Sequence, residues 1–262
     1  MRRILLSLAL TVVVQMPDAA LAQTGANKEI APTGTLRVGM NAANTTLVTR
    51  TPDGHVAGIS VDLGTFIAGK LGVPYEPVLY PGSAAYTEAF VKGGWDIIVT
   101  GRNASAATMV DFSADVILID FLFVAAPGRQ FADAGQVDRA GIRIGVARNA
   151  SADEYLARTL KSAELVRTAG DVAAGIELLR INEADVYATV TDTALAIAKR
   201  LPGAKVIPGA FNTVGFAVAI PKGRSSVARD RLAQIVGEAK AAGILQQAID
   251  KAGLRGVRVA PD

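Results

Sequence analysis

The 262-residue chain has no cysteine and a single histidine, His55. Without cysteine there is no disulfide framework, no thiolate metal site and no cysteine nucleophile. One imidazole removes nearly every zinc or haem arrangement that needs two, and with it a multi-histidine pH switch. Aromatic residues are sparse and tryptophan occurs once, as Trp95. Beyond the N-terminus no apolar stretch is long enough to span a bilayer, which takes roughly 20 residues. Lys+Arg (27) and Asp+Glu (24) nearly balance, and no basic run stands out, so nucleic acid is not an expected partner. Nothing in the composition calls for a cofactor. Half of the residues are hydrophobic, which excludes a disordered chain and supplies one large core or two smaller ones.

The first 22 residues read as a secretory signal. Arg2 and Arg3 form a positive start, Ile4 to Val14 is apolar apart from Ser7 and Thr11, and Ala20-Leu21-Ala22 has the small-x-small pattern of a cleavage site. Without Arg2, Arg3 and Asp18 the counts of 27 basic and 24 acidic residues become 25 and 23. The expectation is an exported protein, with residues 23–33 as a polar linker.

Strand-like and helix-like segments then alternate. Leu36 to Met40 reads as a strand and Val61 to Leu71 as a helix stopped by Gly72. Val78 to Tyr80, a helix over Ala84 to Lys92, and the apolar run Asp96 to Thr100 complete a βαβαβ order. A second unit begins at Ile142-Arg143-Ile144-Gly145-Val146, echoing Leu36-Arg37-Val38-Gly39-Met40. It continues through a helix from Ser151 to Leu160, where Ser151 and Glu154 have capping-box spacing. Leu165-Val166, a helix over Asp171 to Arg180 and the run Asp185 to Val190 follow. The long apolar runs Ile117 to Ala126 and Thr213 to Ile220 predict two strands crossing between the units. A final helix, Ser226 to Ala242, returns Leu232, Ile235, Val236 and Ala239 to the first unit.

Several ordered motifs carry a family resemblance. They are Gly34-Thr35-Leu36-Arg37-Val38-Gly39, Gly58-Ile59-Ser60-Val61-Asp62-Leu63, Gly93-Gly94-Trp95-Asp96-Ile97-Ile98, Val110-Asp111-Phe112-Ser113, Ile144-Gly145-Val146 and Asp153-Glu154-Tyr155. Together they resemble the bacterial extracellular solute-binding proteins of family 3. The resemblance implies an α/β, two-lobed type II periplasmic binding fold: two mixed sheets flanked by helices, with a double crossover hinge. It implies lobe 1 over 34–124 and 216–262, and lobe 2 over 125–215. It also implies a monomer in the periplasm that captures a small polar or anionic solute and passes it to an ABC transporter permease. Where family members carry Thr-Pro-Glu-Arg, this chain has Asn103-Ala104-Ser105-Ala106, so the arginine clamp for a ligand carboxylate is missing. The aromatic residues usual after the first strand are also replaced, by Asn41-Ala42-Ala43-Asn44.

Strand C-termini and helix N-termini should face the cleft. The candidate ligand residues are therefore Asn44, Thr100, Gly101, Arg102, Asn103, Arg148, Asn149, Ser151 and Asp192. Arg102 is either a displaced carboxylate clamp or a solvated strand end, and Arg148 poses the same choice. With both guanidiniums facing inward the ligand is anionic; with neither, it is neutral and held by Asn44, Asn103 and Thr100. Ser151 is an N-cap, a hydroxyl donor or both, and Asp192 either caps the following helix or pairs with a ligand cation. Trp95 reads as packing and His55 as part of an exposed turn. Two other functions fit the same pattern: an interaction protein with a lost ligand site, or a periplasmic dehydratase-like enzyme. No catalytic residue is assigned.

Overall fold

A computed structural model describes residues 18–51, 53–169 and 172–261. In chain order the first part holds α1 (Asp18–Ile30), β1 (Leu36–Asn41), β2 (Thr49–Arg50), β3 (Val56–Ala57), α2 (Ile59–Leu71), β4 (Tyr75–Tyr80), α3 (Ser83–Lys92), β5 (Ile97–Gly101), α4 (Ala104–Ala107) and the long β6 (Val110–Ala125). The second holds β7 (Arg143–Ala147), α5 (Ser151–Thr159), β8 (Glu164–Thr168), α6 (Val172–Arg180), β9 (Val186–Val190), α7 (Thr191–Arg200) and β10 (Lys205–Val206). The chain returns through β11 (Asn212–Pro221), α8 (Ser226–Ala241), α9 (Ile244–Ala252) and β12 (Val257–Val259).

Each half is a βαβαβ unit around a three-stranded parallel core: β4-β1-β5 in one, β9-β7-β8 in the other. The central strands are buried along nearly their whole length, as in β5, where every residue is buried. β6 and β11 run antiparallel between the halves, paired from Val110↔Pro221 to Phe121↔Asn212. At Phe121 the partner of β6 changes to β9. The two expected sheets are therefore joined through β6 into one hydrogen-bonded path, β4-β1-β5-β11-β6-β9-β7-β8. β12 pairs with Ile117–Ile119 of β6, adding a third short strand at the crossing.

The echo between the two units extends to a repeated ion pair. Arg37 is the second residue of β1, and its backbone N–H (2.9 Å) and guanidinium (2.7 Å) donate to the buried Asp96 that precedes β5. Arg143 opens β7 and donates in the same way to the buried Asp185 that precedes β9, through its N–H (2.8 Å) and guanidinium. Arg129 adds a second guanidinium to Asp185. The glycines match too. A Cβ at Gly39 would lie 2.7 Å from Ile98, and one at Gly145 would lie 2.8 Å from Tyr187. Each glycine lets the strand pack flush against its neighbour.

Two expectations need correction. Most of the 23–33 stretch is not a linker: α1 runs to Ile30, and Ala26, Ile30 and Ala31 are buried. Glu29 accepts the backbone N–H of Ser225 (2.9 Å) just before α8. Two apolar residues four apart, Ala26 and Ile30, suffice to dock this helix, although its composition is polar. Nor is α8 the last element, because Gly243, at φ 71°, ends it and starts α9. The expected signal lies mainly outside the described residues. Trp95 is buried with its indole N–H on Ala89 (2.8 Å), and His55 is exposed beside Asp53. Among the described residues no helix is long and apolar enough to cross a membrane.

Candidate functional site

A cleft of about 660 Å³ lies between the halves, at the C-terminal ends of β1, β5, β7 and β9. The first half contributes Asn41, Asn44 and Thr45 after β1, Tyr86 and Phe90 from α3, Thr100 and Gly101 at the end of β5, and Asn103 and Met109 beyond it. The second half contributes Ala147, Asn149, Ser151 and Glu154 around the start of α5, and Tyr187 to Val190 from β9. Phe216 and Phe121 enter from the crossing strands. Across the cleft the halves touch where a Cβ on Gly101 would lie 2.9 Å from Ser151 Oγ and 3.3 Å from the Phe216 ring. Only glycine leaves room there for both neighbours.

The polar groups on the first-half wall are oriented by their own neighbours. Asn103 caps α4 by accepting the Ala106 N–H (2.6 Å). The Tyr86 hydroxyl reaches the Val99 carbonyl (3.4 Å). Burial pushes the pKa of this phenol well above its ordinary value, and a hydrogen bond with Thr100 partly offsets that.

The start of α5 differs from its capping-box reading. The N-cap is Ala150, which has no side-chain acceptor, so the helical frame begins one residue earlier. Asp153 then occupies the third helical position. It accepts the Asn149 N–H (3.0 Å) and the Arg167 guanidinium (2.8 Å). Asn149 itself takes φ 59°, a left-handed turn that asparagine tolerates. With Asp153 holding the loop, Ser151 Oγ is left to face Gly101 and Glu154 lines the cleft. Burial raises the Glu154 carboxyl above its ordinary value; Arg158 offsets this and Asp153 adds to it.

Six of the nine expected ligand residues border the cleft: Asn44, Thr100, Gly101, Asn103, Asn149 and Ser151. Arg102, Arg148 and Asp192 do not. The Arg102 guanidinium turns onto β6, pairing with Asp115 and the Ser113 carbonyl, 5.0 Å from the centre of the Phe112 ring. Arg148 is exposed, because strand alternation points Ala147 inward and the next residue away. Asp192 lies inside α7, which starts at Thr191, and it neither caps that helix nor borders the cleft. One of its oxygens accepts the Arg255 N–H (3.4 Å), and the other is buried without a hydrogen-bond partner. The aromatic lining from α3 and the crossing strands was hidden in the sequence, because Tyr86, Phe90 and Phe216 also satisfy a core pattern. Among the described residues no group of three or more His, Asp or Glu side chains is placed to hold a metal ion.

Two α/β halves, paired antiparallel crossover strands and a cleft at the strand ends make up the two-lobed periplasmic-binding-protein fold. Solved structures share it. The solute receptor for L-cysteine of Neisseria gonorrhoeae is 19% identical, with a TM-score of 0.73 over 90% of this chain and 99% of that one. Holo ArgBP from T. maritima is 20% identical, with a TM-score of 0.68 over 87% and 99%. The ancestral amino acid-binding protein AncCDT-1, a precursor of cyclohexadienyl dehydratase, is 20% identical, with a TM-score of 0.69 over 86% and 98%. At these identities the likeness is one of fold. No protein-family model and no curated protein sequence matches the chain.

Proposed function

We propose that this chain is an exported solute-binding protein that closes two lobes, residues 34–124 with 216–262 and residues 125–215, around a small polar solute. It then delivers that solute to an ABC transporter permease at the inner membrane. The cleft carries this reading: about 660 Å³, lined from both halves at strand ends and helix starts, with two paired strands crossing between the halves. A solute touching both walls stabilises the closed arrangement over the open one. The neighbours of known structure named above for what they bind, L-cysteine and amino acids, support the same role. With Arg102 and Arg148 turned away, hydrogen bonds to Asn44, Asn103 and Thr100 replace an arginine clamp, and aromatic rings cover the rest of the solute.

Thermal unfolding of the purified protein against amino acids, amines, organic acids and sugars tests the proposal. A true ligand at one hundred times its Kd adds about 2.7 kcal/mol of stability. A flat response across all four classes overturns the reading in favour of an interaction protein. Catalytic consumption of any compound overturns it in favour of an enzyme.

A further inference from the structure

We propose that the solute carries an amine cation and no carboxylate, and that Glu154 recognises the amine; this rests on the solute-binding reading above. Among the described residues bordering the cleft, Glu154 is the sole carboxylate. It has no hydrogen bond or ion pair from its side chain to any described residue, in contrast to its neighbour Asp153, which takes up Arg167 and the Asn149 N–H. A half-buried carboxylate on a wall whose other charge, Arg200, stands apart from it repels anions, and with its desolvation offset only by the charge of Arg158 it gains from the arrival of a cation.

The elements that would reverse this sign are placed elsewhere. Arg102 is consumed by Asp115, and Arg148 is exposed outside the cleft. The remaining guanidinium on the lining, Arg200, is exposed at the last residue of α7. That is roughly 10 Å along the helix from Thr193, where α7 enters the cleft, at 1.5 Å per residue. The free N–H groups at the start of α5 would ordinarily favour an anion, but Glu154 in the first turn places a full negative charge beside them. Phe121 and Phe216 on the lining add aromatic surface, whose ring faces attract ammonium groups in general.

The test is a matched series titrated calorimetrically into the full chain: butylamine and benzylamine, their neutral amide counterparts, norleucine and phenylalanine, and the corresponding carboxylates. The expected order is amine tighter than amide by at least about tenfold, with amino acids and carboxylates weaker still. Glu154→Gln should erase the preference for amine over amide while leaving the unliganded melting temperature close to wild type. An amino acid or carboxylate binding as tightly as its amine overturns the inference and leaves solute binding intact, as does a Glu154→Gln protein that keeps the amine preference. If Arg200→Ala weakens a bound amino acid, a zwitterion bridging the two charges is the ligand instead. Absence of binding by this series and by sugars removes the solute-binding reading itself, and this inference with it.

Discussion

A guanidinium at the end of a buried strand can satisfy its donors on a ligand or on the protein. At Arg102 the protein supplies the partners: Asp115, the Ser113 carbonyl and the face of Phe112 lie within reach on β6. Both charges of that pair are partly exposed, so the pair is worth about 1 kcal/mol or less. Arg102→Ala should therefore leave solute affinity unchanged and lower stability only slightly in urea unfolding; a large loss of affinity would return the residue to the site. The sequence placed Arg102 correctly at a strand end, but nothing in it showed that Asp115, 13 residues on, would face the same way. Backbone-determined positions such as Thr100, Gly101 and Asn103 were legible, because the C-terminus of a buried strand fixes where they stand. Long side chains were not, since their direction depends on neighbours brought in from other elements.

Within elements, a shift of one residue changes the chemistry. Had Ser151 capped α5, Glu154 would have folded back onto the helix start; with Ala150 in that place, Asp153 does the holding and Glu154 is left facing the cleft. Removing that anchor strands the Arg167 charge and the Asn149 N–H. Asp153→Ala should cost about 2–3 kcal/mol, the worth of hydrogen bonds to a charged group, and should weaken solute binding because the loop carrying Asn149 and Ser151 loses its tie. A variant as stable as wild type in chemical denaturation would show that the loop holds itself. Most elements could be read from their periodicity, as with α2, whose Leu63, Ile67 and Leu71 are all buried and whose end at Gly72 takes the left-handed φ of 72°. α1 escaped because Ala26 and Ile30 are few against a polar background. β12 escaped because three residues, Val257–Val259, carry no period. α9 does carry the spacing Leu245, Ala248, Ile249, although Ser226 to Ala242 reads as the final helix.

For the molecule as a whole, two aspartates respond to pH in opposite directions. Burial alone would raise Asp185, but hydrogen bonds from Arg143 and the charge of Arg129 hold it below its ordinary value. Its contribution to stability is present above the ordinary aspartate range and is lost as pH falls through the lowered value. Asp192 is raised by burial, against the N–H and charge of Arg255. Its protonated form is the one folding favours, so its contribution is present at low pH and disappears as pH rises through the raised value. Melting temperatures from pH 3 to 8 should show Asp185→Asn losing about 3 kcal/mol at neutral pH, the cost of stranding its arginine partners. The gap to wild type should narrow in acid. Asp192→Asn should gain on wild type as pH rises from about 4 to 7; a constant offset would mean that Asp192 does not titrate with folding.

The two halves meet where Gly101 abuts Ser151, and Thr45 stands exposed at the edge of the same opening. Because the chain has no thiol of its own, a cysteine substituted for Thr45 would be the one attachment point for a fluorescent dye. The natural sequence is thus a clean background for an optical sensor, in which a solute-dependent change in brightness is the expected sign of the proposed shutting of the mouth.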